Sequence, residues 1–84
     1  MKTQTSLKLA KALVSPSMLF VWNEETKGKD EVVETAKLVK DCYFGGDNAP
    51  YKEWARLTIE VLEACKVLNA AGLEGEYGEF YWPK

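Results

Sequence analysis

The longest patterned stretch of the chain is YKEWARLTIEVLEACKVLNAA, residues 51–71. At 100° per residue, its charged side chains fill an arc of only about 140° on a helical wheel. The remaining surface is apolar or small and divides into two flanks. One flank carries Tyr51, Trp54, Thr58, Val61, Cys65 and Leu68, and the other, here called the outer flank, carries Ala55, Ile59 and Leu62. We therefore expect a central helix with two surfaces to cover.

The helix that contains this stretch is expected to span residues 48–71. Asp47 or Asn48 is a suitable N-cap, because a side-chain oxygen there accepts a hydrogen bond from a backbone N–H of the first turn. Pro50 fits the first turn, where its missing N–H leaves no hydrogen bond unmade. Gly72 supplies the positive φ that commonly ends a helix.

A second helix is predicted over residues 30–44. Asp30 is the expected N-cap of this helix. Acidic residues near the start of the helix and lysines near its end complement the helix dipole. Gly45 and Gly46 are expected to end it. The stripe facing the core is predicted to be Val32, Val33, Ala36, Val39, Cys42 and Tyr43, with Glu34, Lys37 and Asp41 facing water.

Two shorter helices are predicted before it, over residues 5–14 and 16–26. In the first, apolar residues recur at steps of three and four. Pro16 pushes the residue before it out of the helical region, so the first helix must end there. Ser15 as N-cap, with Pro16 at the first helical position, is a good start for the next helix.

These segments predict a mainly α fold, a small four-helix bundle-like domain that occupies residues 1–84 as a single unit. Its last part is an aromatic tail, residues 73–84 (LEGEYGEFYWPK), which holds four of the ten aromatic residues. The alternative is an α+β fold, because the run MLFVW at 18–22 also suits a buried strand and residues 79–82 are the only other β-prone stretch.

Several classes of site are excluded by composition. The chain contains no histidine, so Ser-His-Asp and Cys-His catalytic sites are impossible and the commonest metal ligand is missing. Cys42 and Cys65 have no CxxC partner, which leaves a structural zinc site without its four ligands. Both are expected to be buried free thiols, because they occupy apolar helical positions. We therefore expect no enzyme, no metal and no cofactor.

Location and nucleic-acid binding are also constrained by composition. The longest run of large apolar residues is residues 18–22, far short of the roughly 20 residues that span a bilayer. Lys8 and Lys11 interrupt the apolar residues near the start, so no secretory signal is recognised. We expect a cytoplasmic protein with no membrane partner. A net charge of −2 with a single arginine, Arg56, disfavours duplex nucleic acid as a partner.

The function predicted first is a non-catalytic module that binds another protein, as an adaptor or an inhibitor. Tyrosine and tryptophan are enriched at the energetic centres of interfaces. The expected contact residues are Tyr51, Tyr77, Phe80, Tyr81 and Trp82. Because so small a chain gains little net stability from its own core, a homo-oligomer is expected as well.

The alternative function is an oligomeric protein that sequesters a small anionic ligand, such as a nucleotide, at a subunit interface. Aromatic rings would stack on the base while cations meet the phosphate. The residues predicted for this role are Trp22, Lys27, Lys29, Trp54 and Arg56. In size, mild acidity and preference for Lys over Arg, the chain resembles the small accessory proteins of bacteriophages, many of which block host proteins. That compositional resemblance implies an inhibitor and assigns no residue.

Overall fold

A computed structural model describes residues 7–46 and 48–72 of the protein, and all the regular secondary structure within those residues is helical. Its elements are α1 (Leu7–Leu13), α2 (Pro16–Thr26), α3 (Glu31–Phe44) and α4 (Tyr51–Ala70). The prediction of a mainly α, four-helix bundle-like fold is confirmed. The described part contains no strand, and residues 79–82, offered as the second strand of the α+β alternative, lie outside it.

Helix α2 has the predicted bounds, so the strand alternative for residues 18–22 is wrong. The Ser15 hydroxyl accepts from the Met18 backbone N–H at 3.1 Å, and Pro16 occupies the first helical position. Leu19 and Trp22, three residues apart, are both buried. This spacing brings two side chains to one face of a helix, whereas a strand would send them to opposite faces.

Helix α3 begins and ends as its caps predict. The Asp30 carboxylate accepts from the Val33 backbone N–H at 3.0 Å. At the other end, Gly45 adopts φ 66° and donates its N–H to the Lys40 carbonyl. This left-handed cap accounts for a glycine at that position.

Helix α4 starts three residues later than predicted. Its N-cap is Pro50, and no side chain caps it, so Asn48 is not the cap that the sequence suggested. Asp47 lies outside the described residues. Pro50 itself explains the shift, because a proline ring drives the preceding residue, Ala49, away from helical dihedrals. Gly72, with φ 80°, follows the end of the helix as expected.

The buried face of α3 differs from the predicted stripe. Val39 is fully buried, but Val32 is 55% exposed, and Val33, Cys42 and Tyr43 are exposed as well. The inward position that the sequence analysis missed is Thr35, which is completely buried. The prediction for Glu34 was also wrong, since only 14% of its side chain is exposed, whereas Lys37 and Asp41 face water.

The core explains why Thr35 points inward. Trp22 is only 3% exposed, and its indole N–H donates to the Thr35 hydroxyl at 2.7 Å. A buried indole N–H needs an acceptor, and a valine at that position would leave it unpaired. Around this pair the buried apolar residues are Ala10, Val14, Leu19, Val39, Val61, Ala64, Cys65 and Leu68.

Helix α4 contacts each of the other three helices, as expected of the central element. In addition to apolar packing, two polar contacts join α4 to its neighbouring helices. The side-chain amides of Asn23 and Asn69 exchange hydrogen bonds of 3.2 and 2.8 Å between α2 and α4. The Lys66 ammonium lies 3.1 Å from the Glu31 carboxylate and joins α4 to α3. Both contacts lie in the C-terminal half of α4, and its N-terminal half carries the site described next.

Candidate functional site: an aromatic corner at the start of helix α4

The most exposed large apolar side chain of the described residues is Tyr51, in the first turn of α4. It is 75% exposed. Its ring meets that of Trp54 edge to face, with the centroids 6.5 Å apart and the planes at 90°. Residues three apart on a helix are neighbours, and the perpendicular arrangement suits the aromatic quadrupoles. The two rings form a corner open to solvent.

Trp54 forms one side of this corner, and two contacts with α3 hold its ring in place. Its indole N–H donates to the Ala36 carbonyl of α3 at 2.9 Å. The Lys40 ammonium, also from α3, lies over the ring at 5.1 Å from its centroid, a cation–π contact. The ring is therefore held by a hydrogen bond at its edge and by a cation on its face. We call Tyr51, Trp54 and Lys40 together the aromatic corner.

The charge around the corner is positive. Neither Lys40 nor the exposed Lys52 has an ion-pair partner within the described residues. Glu53 follows in the same turn but lies about 200° around the helix from Tyr51. Four other cations of the described ranges lie close to acidic side chains, in the pairs Lys27–Glu24, Lys37–Glu34, Arg56–Glu60 and Lys66–Glu31.

The outer flank of α4 is only partly covered. Ile59 is 56% exposed, whereas Ala55 and Leu62 are half-buried. Ala55 follows Tyr51 by one turn and Ile59 follows by two, so the three form a row along the helix surface. The two rings of the corner and this row make one apolar strip on the exposed side of α4, beside charged residues such as Lys52 and Lys66.

Of the five residues predicted to contact a protein partner, only Tyr51 lies in the part of the chain that the structure describes. Tyr51 is exposed as expected. The other four, Tyr77, Phe80, Tyr81 and Trp82, belong to the aromatic tail and lie outside the described residues. Their assignment to a partner surface stays a prediction from sequence.

The residues predicted for an anionic ligand are not gathered in one place. Trp22 is in the core, so neither face of its ring is open for stacking. Lys27 and Lys29 lie in the turn after α2, and Lys27 is near Glu24. Trp54 already has Lys40 over its ring, and Arg56 lies 3.7 Å from Glu60.

The two cysteines have different environments, which corrects the prediction that both are buried. Both thiols are free, but Cys42 is exposed and Cys65 is fully buried. Cys42 lies in the last turn of α3 at an exposed position, although Phe44, two residues later, packs against the core. Burial raises the pKa of the Cys65 thiol to about 12, so this thiol stays protonated near neutral pH.

A thiol-reactive probe should distinguish the two cysteines. We expect the native protein to react with one equivalent of a disulfide reagent such as DTNB at pH 8, because the thiolate is the nucleophile and only Cys42 is accessible. The second equivalent should react only on unfolding in urea. Cys42→Ser should abolish the fast phase, and Cys65→Ala should leave it intact. A fast phase of two equivalents in the native protein would contradict the burial of Cys65.

Sequence reasoning missed the two lysines of this site. Lys40 occupies a half-buried position of α3, and nothing in the local sequence shows that its ammonium reaches Trp54 on another helix. Lys52 looked like one more solvated charge of α4. A usable signal was the neighbouring Tyr51 and Trp54, since three-residue spacing already places both rings on one side.

Within residues 7–46 and 48–72, no three His, Cys, Asp or Glu side chains lie together as metal ligands would. No described helix has both the length and the apolar content to cross a membrane. Comparison of the chain with protein-family models, with curated proteins and with solved structures found no match in any of the three.

Proposed function

We propose that this protein is a non-catalytic module that binds another protein, as an adaptor or inhibitor, through the aromatic corner, the outer flank of α4 and the aromatic tail. The observation that carries the proposal is the 75% exposure of Tyr51 on a helix that is otherwise anchored. A large aromatic side chain left in water is a candidate energetic centre of an interface.

The rigidity of the corner supports this proposal. Trp54 is fixed by its hydrogen bond to α3 and by Lys40, and Tyr51 rests against it. Trp54 therefore has few rotamers left to lose when a partner covers the corner, and immobilising a side chain otherwise costs about 0.5–1.5 kcal/mol. Ile59 extends the apolar strip by two turns, which is consistent with a partner that follows α4.

Composition supports a binding role in preference to catalysis. The chain has no histidine, and the Cys65 thiol is buried and protonated near neutral pH. The resemblance in size and charge to phage accessory proteins favours an inhibitor among the binding roles. The aromatic tail adds four more aromatic side chains to the proposed contact surface.

Site-specific photocrosslinking tests the proposal directly. A benzoylphenylalanine at position 51 should form covalent adducts with one partner protein in an extract of the source cells. The same probe at position 53, on the opposite side of α4, should form none. The partner so identified is then purified and its affinity measured by calorimetry. Equal adducts from both positions, or none from position 51, would refute a binding face at Tyr51.

Substitutions in the tail should weaken the measured affinity. We expect Trp82→Ala and Tyr81→Ala each to weaken partner binding by about 1–4 kcal/mol, the range for aromatic residues at the centre of an interface. The melting temperature should change little. Glu53→Gln is the matched surface control and should bind like the wild type. If the tail variants melt much lower and bind normally, these aromatics stabilise the domain and do not bind the partner.

A further inference from the structure

We propose that the aromatic corner, together with Lys52, binds the aromatic tail of a second copy of this chain. This inference goes beyond the proposed function, since it concerns self-association, although it shares Tyr51 and the tail with it. The evidence is the chemical complementarity of the two surfaces, the length of α4 and the exposure of Ile59.

The two surfaces complement each other in charge. The corner presents two rings and the Lys40 ammonium, and Lys52 lies beside it. Neither lysine has an ion-pair partner among the described residues. The tail has three glutamates, one lysine and four aromatic residues. Glu76 precedes Tyr77 and Glu79 precedes Phe80, so acidic and aromatic groups alternate along it. Opposite charges across an interface both steer association and fix its register.

The lengths of α4 and of the tail favour docking of a second copy's tail in the corner over docking of the chain's own tail. Tyr51 and Gly72 are separated by about 31 Å along α4, at 1.5 Å per residue. The ten residues from Gly72 to Trp82 span at most about 33–36 Å when fully extended. A chain's own tail therefore brings only its last few residues to its own corner. If a second α4 runs antiparallel, its Gly72 lies beside the corner and its whole tail is within reach.

An antiparallel arrangement also accounts for Ile59. This residue lies near the middle of α4 and is 56% exposed. Two antiparallel helices related by a twofold axis meet at their midpoints, and each copy then receives the other's tail. Four aromatic side chains, at about 150–250 Å² each, supply an area comparable to the roughly 800 Å² per partner of a stable interface.

The first measurement is the mass of the purified full chain by sedimentation equilibrium from about 5 µM to 1 mM. The mass should rise from 9.5 kDa toward twice that value. Tyr51→Ala and Trp82→Ala should each raise the dimer dissociation constant tenfold or more, while Glu53→Gln leaves it unchanged. A wild type that stays monomeric throughout, or a Tyr51→Ala variant that dimerises normally, overturns the inference.

Mixing two variants separates docking between copies from docking within one chain. The corner variant carries Tyr51→Ala and Lys52→Glu, and the tail variant carries Tyr81→Ala and Trp82→Ala. Each should be monomeric alone and folded by far-UV circular dichroism. An equimolar mixture should form a 1:1 dimer, because an intact tail then meets an intact corner. A mixture that stays monomeric overturns the inference.

The outcome can be distinguished from that of the proposed function, although both place a binding partner on Tyr51. Sedimentation uses the purified chain alone, whereas the photocrosslinking experiment looks for a different protein. Self-association without any captured partner would refute only the proposed function. A captured partner together with a monomeric wild type would refute only the present inference.

Discussion

Replacing Trp22 with alanine should lower the free energy of unfolding by about 3–5 kcal/mol, the cost of emptying a large aromatic site in a packed core. Trp22 is 3% exposed and lies among Leu19, Val39 and the other core residues. Domains typically have only about 5–15 kcal/mol of stability in total. Urea denaturation followed by far-UV circular dichroism should therefore show a transition midpoint far below that of the wild type.

The hydrogen bond between Trp22 and Thr35 makes this prediction specific. Thr35→Val keeps the volume but leaves the indole N–H buried without an acceptor, which should cost about 1–3 kcal/mol. Trp22→Phe removes the donor and keeps most of the ring. The double variant removes both partners and should be less destabilised than the sum of the single changes. Strictly additive losses would contradict an energetically significant bond between these two side chains.

The second large effect is a loss of stability in alkaline solution that depends on Cys65. Its thiol has a pKa of about 12 in the folded chain, raised by burial from an ordinary value of 9.0. Below pH 9 both folded and unfolded chains hold the proton. Between pH 9 and 12 only the folded chain does, so unfolding releases a proton and becomes more favourable as pH rises. The loss amounts to about 1.4 kcal/mol per pH unit, or about 4 kcal/mol in all.

Tyr43 contributes in the same direction. Burial, and then the nearby thiols of Cys42 and Cys65, raise the pKa of its hydroxyl, which donates to the Leu13 carbonyl at 3.0 Å. Urea titrations at several pH values from 8 to 11.5, on the wild type and on Cys65→Ala, isolate the cysteine contribution. The variant should lose less stability as pH rises, although it starts lower because it leaves a small cavity. Parallel curves for the two proteins would rule out a titrating Cys65.

Local chemical signals in the sequence predicted the helices well. The Ser15-Pro16 pair determines where α2 begins, and Asp30 and Gly45 bracket α3, because caps and prolines act over one or two residues. The predicted start of α4 at residue 48 is wrong, because the Pro50 ring drives Ala49 away from helical dihedrals and the helix begins at Tyr51.

Positions that depend on contacts between helices were predicted less well. The predicted stripe of α3 was chosen by hydrophobicity alone, so it included Val32 and omitted Thr35, whose hydroxyl is needed by an indole on another helix. At the candidate site, the sequence predicted Tyr51 as a contact residue, and the structure shows only that its side chain is exposed. Lys40 reaches Trp54 only through the packing of α3 on α4, and no single-helix pattern contains that packing.

The two polar contacts that join α4 to its neighbouring helices respond differently to added salt. The Lys66–Glu31 contact is between opposite charges near the surface, and counterions screen such a pair at high ionic strength. The Asn23–Asn69 contact is between two neutral amides, each acting as donor and acceptor, so added salt leaves it largely unaffected. At high ionic strength the Lys66–Glu31 contact should therefore weaken while the Asn23–Asn69 contact persists, and the apolar packing of α3 on α4 should be retained.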